Sequence, residues 1–341
     1  MASGIDSYHV ATKNFLKDFD IYWKDTINTM GLRSEQLNTG NRLRPQICLW
    51  GYLATVSPDD VATHNYSIIA NIAVSIELVH KASLLIDDWI DNDSERNGNP
   101  SFHIEHSPQW AVLCALNMIG CAMERLENAF SDDIVLPHNY YLCLNMVIKT
   151  VCAMAQGALE EIRMDDAEFF NIEKIRNIIQ RETSEIIGNS LLLGYYAGSG
   201  TNINTIIEEL FKKIGDKCGY LFQALNDLEA FVSPDKLIKH KGNLNLDFLS
   251  KRKNLVIATL YELANPQDRK TLIDAEQEAL LQLIKKYKVI DTMRRELNNV
   301  YGDLLNDCTI DSFGIISECW VSGFKTYLEL VKKFAVDRLQ K

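Results

Sequence analysis

The chain has 341 residues, 47% of them apolar and 24% charged, which excludes a largely disordered protein. Basic side chains number 35 and acidic ones 46, a net charge of −11, which argues against a nucleic-acid ligand, since that needs a basic surface to displace counterions. An anionic small molecule stays compatible if metal ions or a local basic cluster supply the charge.

The opening MASGIDSYHV lacks a basic stretch followed by an apolar one, so no secretory leader is expected and a cytoplasmic location is. Further on, GNRLRPQ at 40–46 precedes a helical pattern. Ile68, Ile72, Ile76 and Val79 recur at helical steps. Asn71, Glu77, His80 and Lys81 interrupt that apolar run, so no transmembrane segment is expected. Leu142, Met146, Val147 and Val151 repeat the helical spacing, as do residues 206–232 and 253–264. No proline lies between His138 and Ser233, which permits long helices there. Loops are expected near 56–64, 92–110, 132–138, 199–204, 233–246 and 265–269, where turn-forming residues cluster. Strand alternation, low-complexity tracts and repeats are not evident. The pattern implies one all-α domain over residues 1–341. The eight cysteines form no CxxC pair, so zinc-ligand spacing is absent and buried, reduced thiols are expected.

The sharpest local signal is Asp87-Asp88-Trp89-Ile90-Asp91, at the end of an apolar helical run. Asp87 and Asp91 are four apart and share a helix face, with Asp88 beside them; like charges so spaced repel. A hard cation between the carboxylates relieves that repulsion, and Mg²⁺, which is typically shared by one or two carboxylates and substrate phosphates, suits the spacing. A solvated acidic helix end has the same pattern. Arg96 follows, and Asn97-Gly98-Asn99-Pro100 turns the chain. Arg42 and Arg44 lie upstream, and His80 sits two turns before Asp87 on the same face, about 10 Å along the axis. Basic groups beside a metal-binding acidic cluster suit a diphosphate.

These residues resemble the trans-prenyltransferases, the polyprenyl synthetase family of isoprenyl diphosphate synthases. Three segments match in order and spacing: GNRLRPQ at 40–46, ELVHKASLLIDDWIDNDSERNGNPSFH at 77–103 and GYLFQALNDLEAF at 219–231. QGALEE at 156–161, RETSEIIGNS at 181–190 and LDFLSKRKNLVIATL at 246–260 match more weakly. The resemblance implies long antiparallel helices around a central cavity, usually in a homodimer, with a heteromer also compatible. It implies Mg²⁺, an allylic prenyl diphosphate as donor and isopentenyl diphosphate, or another acceptor, as partner. By position, Asp87, Asp88 and Asp91 correspond to the first aspartate-rich motif, with Asp87 and Asp91 the expected direct ligands. Arg44 and His80 correspond to contacts with isopentenyl diphosphate. Arg96 corresponds to the first arginine of the pair after the motif, and Gln223 to the glutamine before the second motif. Asn226 and Asp227 stand where that motif supplies metal ligands. Lys251 or Lys253 is expected near the diphosphate.

The departures are informative. The family pattern has lysine where Asn41 stands and a second arginine where Asn97 stands, so two of four cations in the acceptor pocket are missing. Its Lys-Thr pair is Glu182-Thr183 here. The second motif, Asn226-Asp227-Leu228-Glu229-Ala230, begins with an amide and ends apolar. Three functions fit: a chain-elongating synthase, ionisation of an allylic diphosphate with another fate (cyclisation, or transfer to another acceptor), and a regulatory subunit of a heteromeric synthase. Ala82 and Ser83, small residues five and four positions before the motif, imply room for a prenyl group of C20 or longer. Close helix packing is the other explanation for their size.

Overall fold

The computed structural model describes residues 4–32, 35–38, 40–130, 137–165, 170–232, 254–273 and 276–308. The chain is all-α, as its periodicity implies. In order come α1 (Gly4–Thr29), α2 (Glu35–Asn38), α3 (Leu43–Leu53), α4 (Ser67–Ile90), α5 (Phe102–Glu105), α6 (Pro108–Phe130) and α7 (Pro137–Ile162). They are followed by α8 (Ile172–Ile179), a π-helical turn (Gln180–Ser184), α9 (Glu185–Gly198) and α10 (Thr205–Val232). The remaining helices are α11 (Leu255–Leu263), α12 (Pro266–Ile273), α13 (Gln277–Lys286) and α14 (Val289–Asp307). A two-residue hairpin, β1 (Glu95–Arg96) against β2 (Asn99–Pro100), is the one sheet among the described residues.

Three segments expected as loops are partly helix starts. Pro108, Pro137 and Pro266 each open a helix. At the first helical position proline loses nothing, because its missing N–H has no intrahelical partner there. Ser107 Oγ accepts from the Trp110 N–H at 3.2 Å. Asn265 Oδ1 caps Gln267 N–H at 3.0 Å and Asp268 N–H at 2.9 Å.

Helix α4 is the central element. It packs against α1, α3, α6, α7 and α9, and residues 72–79 are buried on every side. A helix apolar all round has to be enclosed by others. By length and composition α4 and α7 are each apolar enough to cross a bilayer. In α4 most of that stretch, 72%, is already inside the protein. Helices α3 and α9 cross in near backbone contact. A Cβ on Gly194 would stand 1.8 Å from the Cys48 carbonyl oxygen, and one on Gly51 1.9 Å from that of Leu191. Only glycine permits that approach, and it fixes α3, with the basic segment before it, against the core. Cys48, Cys114, Cys143, Cys218 and Cys308 are buried thiols as expected, whereas Cys152 is exposed and Cys121 half-buried.

Candidate active site

The C-terminal half of α4 opens on one side. His80, Ser83, Leu84 and Asp87 are half-buried, and so is Asp91 at the helix end. Their separations of three, four, seven and eleven residues lie on a single helical face. Asp87 and Asp91 therefore stand one turn apart on an open surface. Asp88 does not join them. It is 1% exposed, and its carboxylate accepts from Arg96 Nε at 2.7 and 2.8 Å and from Arg96 Nη2. The acidic motif is thus divided between two outward carboxylates and one that anchors the following hairpin.

No three His, Cys, Asp or Glu side chains converge on one point among the described residues. That donor set does not suit zinc held in a closed tetrahedral site. Two neighbouring half-buried carboxylates, with Asp91 Oδ1 itself buried, suit Mg²⁺, which keeps waters and takes phosphate oxygens as its other ligands.

The hairpin accounts for one departure from the family pattern. Asn97 and Gly98 both have positive φ, 55° and 79°, the requirement of a type I′ turn. Asparagine tolerates that region. An arginine at position 97 would carry the left-handed penalty, about 1–2 kcal/mol. The turn sets Arg96 against Asp88, so the second cation is replaced by the residue that aims the first.

The basic groups gather at the other end of the open face. Arg42 adopts φ 50°, held there by Glu77 Oε1 at 3.0 Å and by the Trp23 ring, whose centroid is 4.6 Å from its guanidinium carbon. Arg42 thereby belongs to the scaffold. Arg44 is half-buried in the first turn of α3. Burial, and then the charges of Arg44, Lys81 and Arg96, hold His80 well below the ordinary histidine range. His80 is consequently neutral at pH 7 and keeps one ring N–H to donate. Lys81, which the sequence suggested only as an interruption of an apolar run, belongs to this cluster at 4.0 Å from Glu77. A lysine in the middle of an otherwise apolar helix was the signal available for it.

The second motif behaves differently from expectation. Asp227 is 2% exposed. Its carboxylate accepts from the Leu255 N–H at 2.7 Å and from Gln223 Nε2 at 2.9 Å. Leu255 opens α11, so a carboxylate meets a helix N-terminus, a favourable pairing with its exposed N–H groups. Gln223 Oε1 in turn accepts from Thr183 Oγ1 in the π-turn at 3.2 Å. Gln223 and Asp227 thus join α10, the π-turn and α11 to one another. Asn226 is exposed. Arg181, beside the Glu182 reversal, bonds to Glu160 of α7 at 2.8 Å. Lys251 and Lys253 lie outside the described residues.

A sequence model of the polyprenyl synthetase family matches residues 32–292. A chloroplastic geranylgeranyl pyrophosphate synthase of Capsicum annuum is 26% identical over 62% of this chain and 55% of its own length. The heterodimeric geranylgeranyl pyrophosphate synthase large subunit 1, chloroplastic, of Arabidopsis thaliana is 27% identical over 70% of this chain and 64% of its own. The chain thus spans 55% and 64% of the length of these two curated relatives. Among solved structures, the geranylgeranyl pyrophosphate synthase of Corynebacterium glutamicum, complexed with isoprenyl diphosphate and magnesium, has the same fold. It superimposes with a TM-score of 0.72 over 98% of this chain and 99% of that one, at 16% identity.

Proposed function

The chain belongs to the polyprenyl synthetase family, and we propose that it is a prenyl diphosphate synthase that joins an allylic diphosphate to isopentenyl diphosphate, giving a product of C20 or longer. The observation that carries this reading is the open face of α4, with Asp87 and Asp91 at one end and His80 at the other, where Arg44 and the buried Lys81 bring positive charge to it. One end suits a metal-held leaving group, and the other a second diphosphate.

Asp87 and Asp91 would hold the Mg²⁺, which supplies positive charge to the departing diphosphate. Arg96, set by Asp88, keeps further N–H groups on its guanidinium for the same oxygens. The allylic C–O bond breaks with its electron pair on the diphosphate. The double bond of the isopentenyl group attacks the resulting allylic cation, a C–C bond forms, and a proton passes from the adjacent carbon to the released diphosphate. Arg44 and neutral His80 hold the acceptor diphosphate while this occurs. Leu84 and the apolar residues below the open face keep water from the cation. Asn226 offers a neutral amide oxygen where the family pattern has a carboxylate, while Gln223 and Asp227 position the helices around it.

The test is incubation with Mg²⁺ and geranyl, farnesyl or geranylgeranyl diphosphate, each with and without isopentenyl diphosphate. The expected result is longer diphosphates only when isopentenyl diphosphate is present, and none after chelation of the metal. Hydrocarbons or alcohols without it would favour another fate for the cation. Inactivity relieved by a second protein would favour a heteromeric subunit, the reading that the amide at Asn226 and the large-subunit relative support.

A homodimer is proposed with it. Trp110, Leu113 and Leu116 of α6 and Tyr141, Ile148 and Leu159 of α7 are exposed, from 41% to 65%. Apolar side chains in such number on neighbouring helices mark an interaction surface. Sedimentation equilibrium is expected to give twice the chain mass, and a monomer at micromolar concentration would refute it.

A further inference from the structure

The acceptor pocket lacks two cations of the family pattern, at Asn41 and Asn97, and the hairpin accounts for the second. The first has a counterpart in three dimensions. Lys81 Nζ lies 3.6 Å from where a Cβ on Gly40 would stand. The ammonium therefore reaches, from α4, the loop that carries position 41. Glu77 faces it on α4 at 4.0 Å and is shared with Arg42 at 3.0 Å. Three more elements bring charge to the same place: Arg42 from the loop, Arg44 from α3 and Arg96 from the hairpin, with His80 adjacent on α4. Four cations from these elements meet three buried carboxylates, Glu77, Asp88 and Asp93, and Asp87 also acts on Arg96. At Lys81 three arginine charges stand against the single carboxylate of Glu77, and a locally positive cluster beside carboxylates suited to Mg²⁺ fits a polyanion.

We propose that Lys81 stands in for the missing lysine at position 41 and binds the diphosphate of the isopentenyl substrate, so that the acceptor pocket is rebuilt from α4. The inference rests on the synthase reading and gives it a residue outside the family pattern. The electrostatics agree with the geometry. Burial foremost, opposed by Glu77 and reinforced by the charges of Arg42, Arg96 and Arg44, brings the Lys81 pKa down to about 8. A diphosphate seated among these cations relieves their repulsion and restores the proton affinity. Binding therefore takes up a proton near pH 8 and weakens as the pH rises above it.

Titration calorimetry with isopentenyl diphosphate alone, without metal or allylic substrate, tests this. Lys81→Met keeps the aliphatic stem and is expected to weaken binding about 10- to 100-fold, the scale of a lost charge-assisted contact. Lys81→Arg is expected to retain most of the affinity. Asn41→Lys added to Lys81→Met is expected to restore it, a rescue that a purely structural lysine would not show. From pH 7.5 to 9.5 wild-type affinity falls, whereas Lys81→Arg stays level. Wild-type affinity in Lys81→Met overturns the proposal. Failure of the double variant to regain binding, or an absence of binding by the wild type, does the same. If Lys81→Met does not fold, the two pH profiles decide: parallel curves for wild type and Lys81→Arg overturn the proposal. Lys81-dependent binding without any turnover would leave this inference standing and remove the synthase reading. Turnover with binding indifferent to Lys81 would do the reverse.

Discussion

Asp87→Ala is expected to reduce diphosphate release from an allylic substrate by about 10²–10³-fold or more, the scale on which losing one preorganised charge-stabilising group is felt. Its stability should be unchanged. Asp87 is half-buried on the open face of α4, and a surface substitution of that kind moves stability by no more than about 0.5 kcal/mol. Removing one of two like charges a turn apart favours the helix, which offsets the attraction lost between Asp87 and Arg96. Asp88→Ala, one residue along, is expected to fail through the fold. Asp88 is 1% exposed and carries the Arg96 guanidinium. Deleting one partner of a buried pair strands the other. About 3 kcal/mol is expected, the low end of that range, because Arg96 keeps 21% of its side-chain surface in water. Urea denaturation of both variants, with diphosphate release measured below the transition, separates the two roles. A destabilised Asp87→Ala with normal turnover, or an Asp88→Ala as stable as wild type, would reverse the division made here within the motif.

That division shows where sequence reasoning reached and where it stopped. The helix, its apolar run and the spacing of Asp87 and Asp91 are consequences of a local period, and a local period is visible in the chain. The fate of Asp88 depends on a hairpin eight residues on, whose Asn97-Gly98 turn brings Arg96 back onto it. The same limit applies to Asp227. Its place in a motif suggested a ligand, but its carboxylate holds the N-terminus of α11, a helix 28 residues away. Lys81 was passed over because its significance lies in what comes near it, the loop at Gly40 and three arginines from other elements. Proline was misleading in a different way. Near Pro108 and Pro266 the residues that mark turns are also those that start helices, and only the packing beyond them tells the two apart.

Ser83→Phe is expected to shorten the product. In the proposed reaction the growing chain runs from Asp87 past Ser83 into the apolar interior beneath α4, leaving the His80 end of the open face to the acceptor diphosphate. Ala82 and Ser83, both small, have different surroundings. Ala82 is 2% exposed, so its size is explained by the contact around it. Ser83 is half-buried on the open face, its hydroxyl turned back to the His80 carbonyl at 2.9 Å. Full burial therefore does not account for the small residue at 83, and a phenyl ring there lies on the half-buried side of the helix. Below it the face closes. Val79 and Ile76 are 3% and 1% exposed, and Val79 lies eight residues from Asp87, about 12 Å along the helix. Trp89, 39% exposed, sits outside, and Met118 lies fully buried in α6. The floor for the wild type is then set at Val79, and in Ser83→Phe one turn higher, about 6 Å from Asp87. Chromatography of dephosphorylated products should show C20 or longer chains from the native protein and shorter ones from the variant, with total turnover retained. Helical content should be unchanged, since Ser83 is only half-buried. Native products that stop at C10 or C15, or a variant with the native distribution, would place the floor on another helix.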